Sequence, residues 1–403
     1  MVLRDNLNVA LVSAEFPPSL IGGIGAVCND LAFNLSKNGV RTTVFCGRSN
    51  NVTVERLNDY LTVVRMPILN LPPRHLWFQT QNLSSLSVLL KDFDVVHNLD
   101  PRSGLLAYFT KRLHKPLITH VHECGHCMTR VFLKSPVSYW SPGDFVFSVV
   151  EYPMNEYLAR MSLRNSNHFI VCSNTRLNEL KQRNPNFNFT QASVIYNGIN
   201  FDEIDVANSA VKDDACSVLF WGRLYYVKGI IQLVRAIKLV KCNYPEVSLD
   251  VCGKGPLEAK VKSLVTKLGL EANVHLHGYV NKKNLIEKIN KASVVVLPSL
   301  HEGQPMTALE AMAYGKPVIM YDYPFAREFI TDWHDGLIAR GNDIDDLACR
   351  IRTALSDRKL RLKLGQNAYS RVRRAHDWTV LVHKYIDTYH EAVNIRSTAT
   401  ECT

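Results

Sequence analysis

The feature that most constrains this chain is the stretch from Ala292 to Ile319, which has the pattern of a buried strand, a polar turn, a helix and a second strand. Val294 to Leu297 is a short apolar run rich in β-branched residues, typical of a parallel strand that is covered on both faces. Pro305 suits the first turn of a helix, and the Gly-Lys-Pro sequence that starts at Gly315 ends it. The stretch therefore predicts an open α/β sheet in which a helix begins beside the end of a strand.

The start of that helix is a candidate anion site. The first backbone N–H groups of a helix have no partner within it and favour a negative charge. In an open α/β sheet, ligands bind at the carboxyl ends of the strands. We therefore expect an anionic ligand near the backbone of Gly303, Met306 and Thr307.

Two carboxylates, Glu302 and Glu310, bracket the same turn. At about 1.5 Å of rise per helical residue, they are spread over roughly the length of the diphosphate of a nucleotide sugar. Two acids so far apart suit two separate hydroxyl-bearing groups better than one metal ion or one shared proton. The alternative is a pair of solvated carboxylates at a helix end. The neighbouring segments are needed to distinguish this from a binding site.

The whole chain has the size and pattern of two α/β domains. Its 403 residues are too many for one typical domain and suit two of about 200. Strand and helix patterns alternate, which is typical of doubly wound parallel sheets. We predict a first domain over 1–200, a polar linker over 201–214, a second domain over 215–377 and a loose tail over 397–403.

A glycine-rich loop follows the first predicted strand, Asn8 to Ser13. Its glycines Gly22, Gly23 and Gly25 would let backbone N–H groups approach a phosphate closely. The spacing is not a full G-x-G-x-x-G. The loop alone is a weak signal, and its position after the first strand favours a role in binding.

Arg223 and Lys228 lie in a predicted turn between the strand Ser217 to Trp221 and the next helix. Proteins commonly bind a diphosphate with the forked guanidinium of an arginine and the ammonium of a lysine. An isolated pair of this kind is more often a surface feature. Beside a second helix start, the pair predicts a site for a diphosphate group.

Together these segments resemble the retaining glycosyltransferases of family 4, which have GT-B architecture. The resemblance rests on the turn with Glu302 and Glu310, the Gly-Arg…Lys-Gly segment over 222–229 and the N-terminal Gly-Gly-Ile-Gly, and it is nearly continuous over 219–338. It implies two Rossmann-like, doubly wound domains facing across a cleft. It also implies that a final helix over 378–396 packs back on the first domain.

The resemblance assigns roles to residues of the second domain. Glu302 would face the donor sugar, Glu310 would hold the ribose hydroxyls, and Arg223 and Lys228 would grip the pyrophosphate. The turn with His277 and Gly278 would line the nucleobase pocket through backbone groups. The other donor-binding residues that the resemblance implies are Gly22, Gly23, Gly25, Gly253, Gly303, Met306 and Thr307.

His122, at the end of a predicted strand, resembles the active-site histidine of the family. His120 competes with it, because strand alternation points both side chains the same way. With His122, the predicted catalytic residues are Glu302, Arg223 and Lys228.

The activity implied is metal-independent, retaining transfer of a hexosyl-type sugar from a nucleoside-diphosphate sugar to a lipid-linked, glycan or small-molecule acceptor, with no cofactor. The alternatives are a glycogen-synthase-like glucosyltransferase, a sugar-nucleotide 2-epimerase and a catalytically silent binding partner. Gln304 and residues 322–328 depart from the family pattern near the donor. The donor base, the donor sugar, the acceptor and the oligomeric state therefore stay open.

Charge and hydropathy bear on partners and location. The net charge of +10 favours anionic partners such as diphosphates or acidic membrane surfaces. No nucleic-acid recognition motif accompanies it, so we expect no nucleic acid. No apolar run approaches the length of a membrane span, and the N-terminus lacks a signal-peptide pattern. We expect a cytoplasmic protein that attaches peripherally to the cytoplasmic face of a membrane.

Residues 128–150 show no clear periodicity and are rich in aromatic residues and proline. One hypothesis is a loop that touches the acceptor or a membrane through Tyr139, Trp140, Phe145 and Phe147. The alternative is ordinary packing under a pair of helices.

Ten cysteines are scattered along the chain, and one cluster, over 120–127, joins a Cys-x-x-Cys to histidines. A closed structural zinc site normally draws ligands from a second, separated pair. The sequence offers no such pair, so we expect no metal there.

Overall fold

The structure, a computed structural model, describes residues 7–18, 23–48, 51–69, 71, 73–122, 125–140, 145, 147–204 and 216–401. The chain divides into two compact units. The first unit comprises Met1–Gly125, Val146–Gly198 and Trp378–Thr403, and the second comprises His126–Phe145 and Ile199–Asp377.

The first unit is built on an eight-stranded sheet with the order β3-β4-β2-β1-β5-β6-β7-β8. Neighbouring strands are parallel except for β3 and β4, which are antiparallel. The strands are β1 (Asn8–Ser13), β2 (Arg41–Arg48), β3 (Thr53–Asn58), β4 (Leu61–Pro67), β5 (Val95–Asn98), β6 (Leu117–Val121), β7 (His168–Val171) and β8 (Ala192–Val194).

The second unit is built on a six-stranded sheet with the order β11-β10-β9-β12-β13-β14, in which all neighbours are parallel. Its strands are β9 (Ser217–Trp221), β10 (Ser248–Cys252), β11 (Val274–Gly278), β12 (Val294–Leu297), β13 (Val318–Tyr321) and β14 (Leu337–Ala339).

Helices connect the parallel strands, as parallel pairing requires. In chain order they are α1 (Gly23–Lys37), α2 (Arg74–Leu89), α3 (Gly104–Arg112), α4 (Gly125–Leu133), α5 (Tyr152–Asn165), α6 (Asn174–Arg183), α7 (Ile230–Lys241), α8 (Glu258–Leu268), α9 (Lys282–Lys291), α10 (Met306–Ala313), α11 (Pro324–Phe329), α12 (Ile344–Ser356), α13 (Arg358–Ala375) and α14 (Trp378–Glu401). No helix in the described part of the chain is both long enough and apolar enough to cross a membrane.

The final helix belongs to the core of the first unit. Trp378, Tyr385 and Tyr389 of α14 are fully buried in one cluster with residues of β1, β5 and α1. The helix runs to Glu401, past the predicted end at residue 396 and into the predicted loose tail.

Two of the four points where the chain passes from one unit to the other are the ends of the segment 199–377. In the first unit, Gly198 lies so close to Trp378 that an added Cβ would be 2.5 Å from the indole. In the second unit, the N–H of Ile199 donates to the carbonyl of His376 at 2.7 Å, and Ile199 pairs with Asp377 in a parallel bridge. The two ends of the segment 199–377 therefore pair with each other.

Residues 128–150 differ from the expectation of an irregular first-domain loop. The segment contains the end of α4 and a 3₁₀ turn over Val137–Tyr139, and α5 follows it. Residues His126–Phe145 group with the second unit. This grouping comes from contacts with distant residues, which local periodicity does not carry.

Candidate functional site

The second unit has a topological switch between β9 and β12, the position where ligands bind in open α/β sheets. The loop after β9 and the turn after β12 meet there. The N–H of Leu300 donates to the carbonyl of Val227 at 2.7 Å. Gly229 has a φ of 71°, and an added Cβ would lie 2.0 Å from the carbonyl oxygen of Pro298. Only glycine allows the two backbones to approach so closely.

This contact brings Lys228 and Glu302 together. The Lys228 Nζ lies 2.6 Å from Glu302 Oε1, and the hydroxyl of Ser299 donates to the same oxygen at 2.8 Å. Both charged side chains are partly exposed, 29% for the lysine and 16% for the glutamate. The arrangement fixes a cation beside the start of α10 while leaving it accessible to a ligand.

Glu310 occupies the second turn of α10, where it is half-buried. The indole N–H of Trp221, the last residue of β9, donates to Glu310 Oε2 at 3.2 Å. This hydrogen bond orients the carboxylate from the neighbouring strand end.

A pocket opens at this switch point. It contains three of the predicted residues, Lys228, Glu302 and Thr307, together with Trp221 and Ser299. The full lining is Phe220, Trp221, Gly222, Lys228, Leu297, Ser299, Glu302, Pro305, Thr307, Ala308 and Met320. The structure therefore gathers residues from three separate segments at the edge that the sequence indicated.

The other predicted residues of this region lie around that pocket. Gly303 and Met306 belong to the turn and the first position of α10, next to lining residues. Arg223 is exposed, and no side-chain hydrogen bond or ion pair holds its guanidinium among the residues that the structure describes.

Gly222, Gly253 and Gly278 lie at the carboxyl ends of the adjacent strands β9, β10 and β11. The N–H of Gly222 donates to the carbonyl of Cys252, and the N–H of Gly253 donates to that of Gly278 at 2.7 Å. Gly253 has a φ of 144°, and an added Cβ would lie 1.9 Å from the carbonyl of Gly222. Gly253, predicted to bind the donor, thus allows close backbone packing beside the pocket, while Gly278, also predicted to bind it, has a φ of 63° that favours glycine.

The structure turns the side chain of His277 away from the pocket. Its Nε2 contacts Asp250 and lies 3.0 Å from the Nζ of Lys288 on α9. Lys288 also contacts Asp250, at 3.1 Å. The ring therefore belongs to an ion-pair cluster under α9, which leaves the backbone of His277 for any contact with a nucleotide.

In the first unit, the predicted glycine loop follows β1, next to the switch between β1 and β5. Gly23 begins α1, and an added Cβ there would meet nothing within 4 Å. At Gly25 an added Cβ would lie 3.1 Å from the Cβ of Glu15. Gly22 lies outside the described residues, so the geometry supports a packing requirement only at Gly25.

Both candidate histidines lie in a stack of three rings on one face of the first sheet. The rings of His120 and His122 are stacked with centroids 3.8 Å apart, and His97 stacks on His120 at 5.5 Å. Nδ1 of His97 shares a hydrogen bond of 2.7 Å with the hydroxyl of Tyr389. Within the described structure, neither ring nitrogen of His120 has a hydrogen-bond partner. His122, at the strand end, is the outermost ring.

Burial keeps these imidazoles uncharged at neutral pH. It lowers the pKa of His122 to about 4 and that of His97 to about 3, and it holds the pKa of His120 well below its usual value. The carboxylate of Asp100 acts to raise the pKa of His122, but the effect of burial is larger. A neutral ring can donate or accept one hydrogen bond at a substrate hydroxyl.

The cysteine and histidine cluster is only partly described. Residues 123–124 and the side chains of 125–128 lie outside the description, so the structure says nothing of Cys124, His126 or Cys127. Among the side chains that it does describe, no three of His, Cys, Asp or Glu converge as metal ligands.

The departures from the family pattern are accommodated inside the second unit. Gln304 is buried, with its Nε2 3.5 Å from Nδ1 of His376. Residues 324–329 form α11, and Arg327 makes a two-point ion pair with Asp322. The guanidinium lowers the pKa of Asp322 through these hydrogen bonds.

Sequence reasoning missed two residues of the site, Ser299 and Trp221. Ser299 comes directly after the proline that ends β12 and three residues before Glu302, and that spacing could have indicated it. Trp221 is the last residue of a buried strand, and its pairing with Glu310 depends on packing between elements 89 residues apart.

Known proteins resemble this chain along most of its length. Two family profiles match in tandem, Glycosyltransferase Family 4 over residues 21–203 and Glycosyl transferases group 1 over residues 201–371. An uncharacterized glycosyltransferase of Methanocaldococcus jannaschii is 27% identical, in an alignment that covers 96% of this chain and 99% of that protein.

Solved structures share the fold. Sucrose-phosphate synthase from Thermosynechococcus elongatus has a TM-score of 0.78 at 20% identity, covering 96% of this chain and 99% of that one. The Anabaena protein HepE, solved with UDP and glucose, has a TM-score of 0.71 at 16% identity, covering 95% of this chain and 99% of that one. These neighbours confirm the predicted fold class, GT-B with two Rossmann-like domains.

Proposed function

The chain belongs to the glycosyltransferases that the family 4 and group 1 profiles describe, and we propose that it transfers a hexosyl-type sugar from a nucleoside-diphosphate sugar without a metal ion. The observation that carries the proposal is that Lys228 and Ser299 both donate to the carboxylate of Glu302 at the switch point of the second unit. There a fixed cation, a carboxylate and the start of a helix meet in one pocket.

The proposed chemistry begins with the leaving group. As the bond to the sugar breaks, negative charge develops on the nucleoside diphosphate. Lys228, the exposed Arg223 and the backbone N–H of Thr307 at the start of α10 would stabilise that charge, whereas the N–H of Met306 already donates to the carbonyl of Gln304 at 2.9 Å. These cations and backbone dipoles would neutralise the developing negative charge, which in other enzymes a bound metal ion does.

The remaining residues would hold the donor. Glu302, fixed by Lys228 and Ser299, is placed to accept hydrogen bonds from sugar hydroxyls, and Glu310, oriented by Trp221, from the ribose hydroxyls. His122 in the first unit would hydrogen-bond a substrate as a neutral ring. Retention at the anomeric carbon is proposed from the resemblance to the retaining family.

UDP-hexoses are the first donors to test, because the Anabaena protein HepE has been solved with UDP and with UDP-glucose. The experiment is thermal unfolding of the protein with UDP, GDP, ADP and UDP-glucose, each with EDTA. A ligand that binds the folded state stabilises it by about 2.7 kcal/mol at 100 times its Kd. We expect a concentration-dependent rise in Tm with one base and no effect of EDTA.

The Lys228→Ala variant sharpens this test. It should lose most of the Tm rise, whereas Lys262→Ala, which removes an exposed lysine of α8, should keep it. A wild-type Tm that does not respond to any of the nucleotides would overturn the proposal. A rise abolished by EDTA would overturn the metal-independent part.

The alternative enzymes differ in their products. A 2-epimerase would release UDP from its donor with no acceptor present, and a glycogen-synthase-like enzyme would extend a glucan primer. A silent binding partner would show the Tm rise without any turnover. Chromatography of the reaction with and without primer separates these outcomes from transfer to another acceptor.

We also propose contact with an anionic membrane surface, through exposed side chains of residues 130–137 and of Phe145. Leu133, Val137 and Phe145 are exposed there, at 57%, 76% and 57%, beside the exposed cations Arg130 and Lys134. Apolar side chains among basic ones suit an interface that carries anionic lipid.

This surface corrects the membrane contacts hypothesised from the sequence. Tyr139 and Trp140 are half-buried, since Tyr139 stacks on Tyr226 and Trp140 on Phe132. Phe145 is exposed, and the side chain of Phe147 lies outside the description.

Vesicle flotation tests the membrane proposal. The double variant Leu133→Glu with Val137→Glu should lose binding to phosphatidylglycerol vesicles, and wild-type binding should weaken in high salt. The control is Val88→Glu, at an exposed valine of α2. Equal flotation of the double variant and the wild type, or binding to purely zwitterionic vesicles, would contradict the proposal.

A further inference from the structure

A short segment from the first half of the chain packs against the loop that carries Lys228. Residues His126–Phe145 group with the second unit, although strands of the first unit precede and follow them in sequence. Within this segment, the 3₁₀ turn Val137–Tyr139 and Trp140 make the specific contacts.

Tyr139 is the centre of these contacts. Its ring stacks on that of Tyr226, with centroids 5.4 Å apart and planes 25° apart. Its hydroxyl accepts a hydrogen bond of 3.1 Å from Arg235 on α7, and the carbonyl of Trp140 accepts one of 3.3 Å from Lys260 on α8. The turn is thus held by a ring contact and two cationic donors.

Tyr226 begins the 3₁₀ turn Tyr226–Lys228, so it lies two residues before the cation of the site. On its other side, the loop is fixed by the hydrogen bond from Leu300 to Val227 and by the close packing of Gly229 on Pro298. The backbone around Lys228 is therefore held between the turn after β12 and the ring of Tyr139.

We propose that Tyr139 is a positioning residue for the diphosphate grip: its ring holds Tyr226, and through it the Lys228 loop, in the geometry that places the ammonium beside Glu302. The inference rests on the proposed function, since it concerns the diphosphate of the same donor. It also gives residues 137–140 a role in donor binding that no pattern in the sequence suggests.

The physical reason is the precision that such a charge contact requires. A displacement of about 1 Å at a binding group can cost roughly 100-fold in rate. Without the ring of Tyr139, Tyr226 loses the partner that covers its face, and the loop gains freedom on that side. The loss should fall on the diphosphate and leave contacts to the base and ribose unchanged.

The experiment measures the Kd of UDP and of UMP by calorimetry for the full chain. Tyr139→Ala removes one aromatic pair and should weaken UDP binding by up to about tenfold. It should leave UMP binding unchanged, because UMP lacks the second phosphate. Tyr139→Phe keeps the ring and should bind UDP as the wild type does. The matched control is Tyr157→Ala, at a tyrosine that is 66% exposed.

A double-mutant cycle identifies the route of the effect. In a Lys228→Ala background, Tyr139→Ala should change UDP affinity no further, since the group it positions is gone. Additive losses, an equal loss for UMP, or unchanged UDP affinity in Tyr139→Ala with an unaltered Tm would each overturn the inference. If the wild type binds none of the nucleoside diphosphates, the proposed function itself falls, and this inference falls with it.

Discussion

In both units, the candidate functional side chains lie at or near the carboxyl ends of strands in a largely parallel sheet, but they differ in charge and in burial. In the second unit, Lys228 and Glu302 are charged, partly exposed and paired through hydrogen bonds. In the first unit, the stack of His97, His120 and His122 is buried, and its imidazoles are neutral at pH 7. One fold pattern thus offers an exposed electrostatic site and a buried, uncharged one.

The difference follows from what covers each strand edge. The loops after β9 and β12 meet backbone to backbone, and Lys228 and Glu302 at this contact stay partly exposed. The histidines lie on a sheet face that Tyr385 and Tyr389 of α14 cover. Position at a strand end therefore predicts that a residue is near a site, while the covering element decides whether it is charged.

The largest effect should come from the charged site. Lys228→Ala removes the cation that we propose stabilises the leaving diphosphate, and it leaves Glu302 without its ion-pair partner. Loss of one such group costs about 10²- to 10³-fold in kcat. Release of UDP from UDP-glucose in the presence of acceptor measures it, with Lys262→Ala as the control. Turnover within threefold of wild type would remove Lys228 from the site.

Two histidine variants test whether the stack contains one functional ring or several. His122→Ala should lower turnover by about 10². His120→Leu should keep most of the activity, and its folding free energy at pH 7 should equal or exceed that of the wild type. The reason is that neither nitrogen of His120 has a partner in the described structure, so leucine relieves an unpaired buried polar group. The reverse pattern would make His120 the active residue.

Acid should destabilise the first unit before the second. Burial lowers the pKa of His75, as of His122, to about 4 and that of His97 to about 3. Between about pH 6.5 and pH 4 the unfolded chain binds a proton at each site and the folded chain does not. Stability is therefore full above pH 6.5 and falls with pH in that window, by about 1.4 kcal/mol per unit for each group.

Hydrogen exchange resolves this acid effect by region. After correction for intrinsic rates, peptides from β5 and β6 should lose protection between pH 7 and pH 5 more than peptides from β9 and β12. Equal losses in both sheets would contradict a buried, neutral stack. His120→Leu should retain more protection at pH 5 than the wild type.

The smallest effects should come from the ribose side of the charged site. Glu310→Ala should raise the KM for the donor with little change in kcat, because the proposed hydrogen bonds to the ribose would be made equally in the ground and transition states. Trp221→Phe keeps an aromatic ring but removes the hydrogen bond to Glu310. It should lower the free energy of unfolding by about 0.5–1.5 kcal/mol. A fall in kcat for either variant would indicate a role in the chemical step.

Local sequence patterns were sufficient to predict where the strand Val294–Leu297 and the helix after it lie in the second unit. The run Val294–Leu297 and its helix have nearly the predicted bounds, and Lys228, Glu302 and Thr307 line one pocket. These features depend on strand alternation and on where helices begin, which a sequence window contains.

Features that depend on contacts between distant elements could not be read in this way. His277 lies in a strand, β11, but its ring contacts Asp250 and Lys288 of α9, two residues that the local sequence around His277 does not contain. The stacking of His97 on His120 requires the register of β5 and β6, and the association of Tyr139 with Tyr226 requires packing across 87 residues of chain (226 − 139).

The pairing of Ile199 with Asp377 also has a consequence for modular exchange. An inserted piece whose ends lie side by side can be replaced by a homologous piece without stretching the host at the junctions. The 199–377 segment therefore has the topology of a cassette, and chimaeras with relatives could be joined at Gly198 and Trp378. Such a swap would carry a mismatch unless residues 126–145 were exchanged with it, since they belong to the same compact unit.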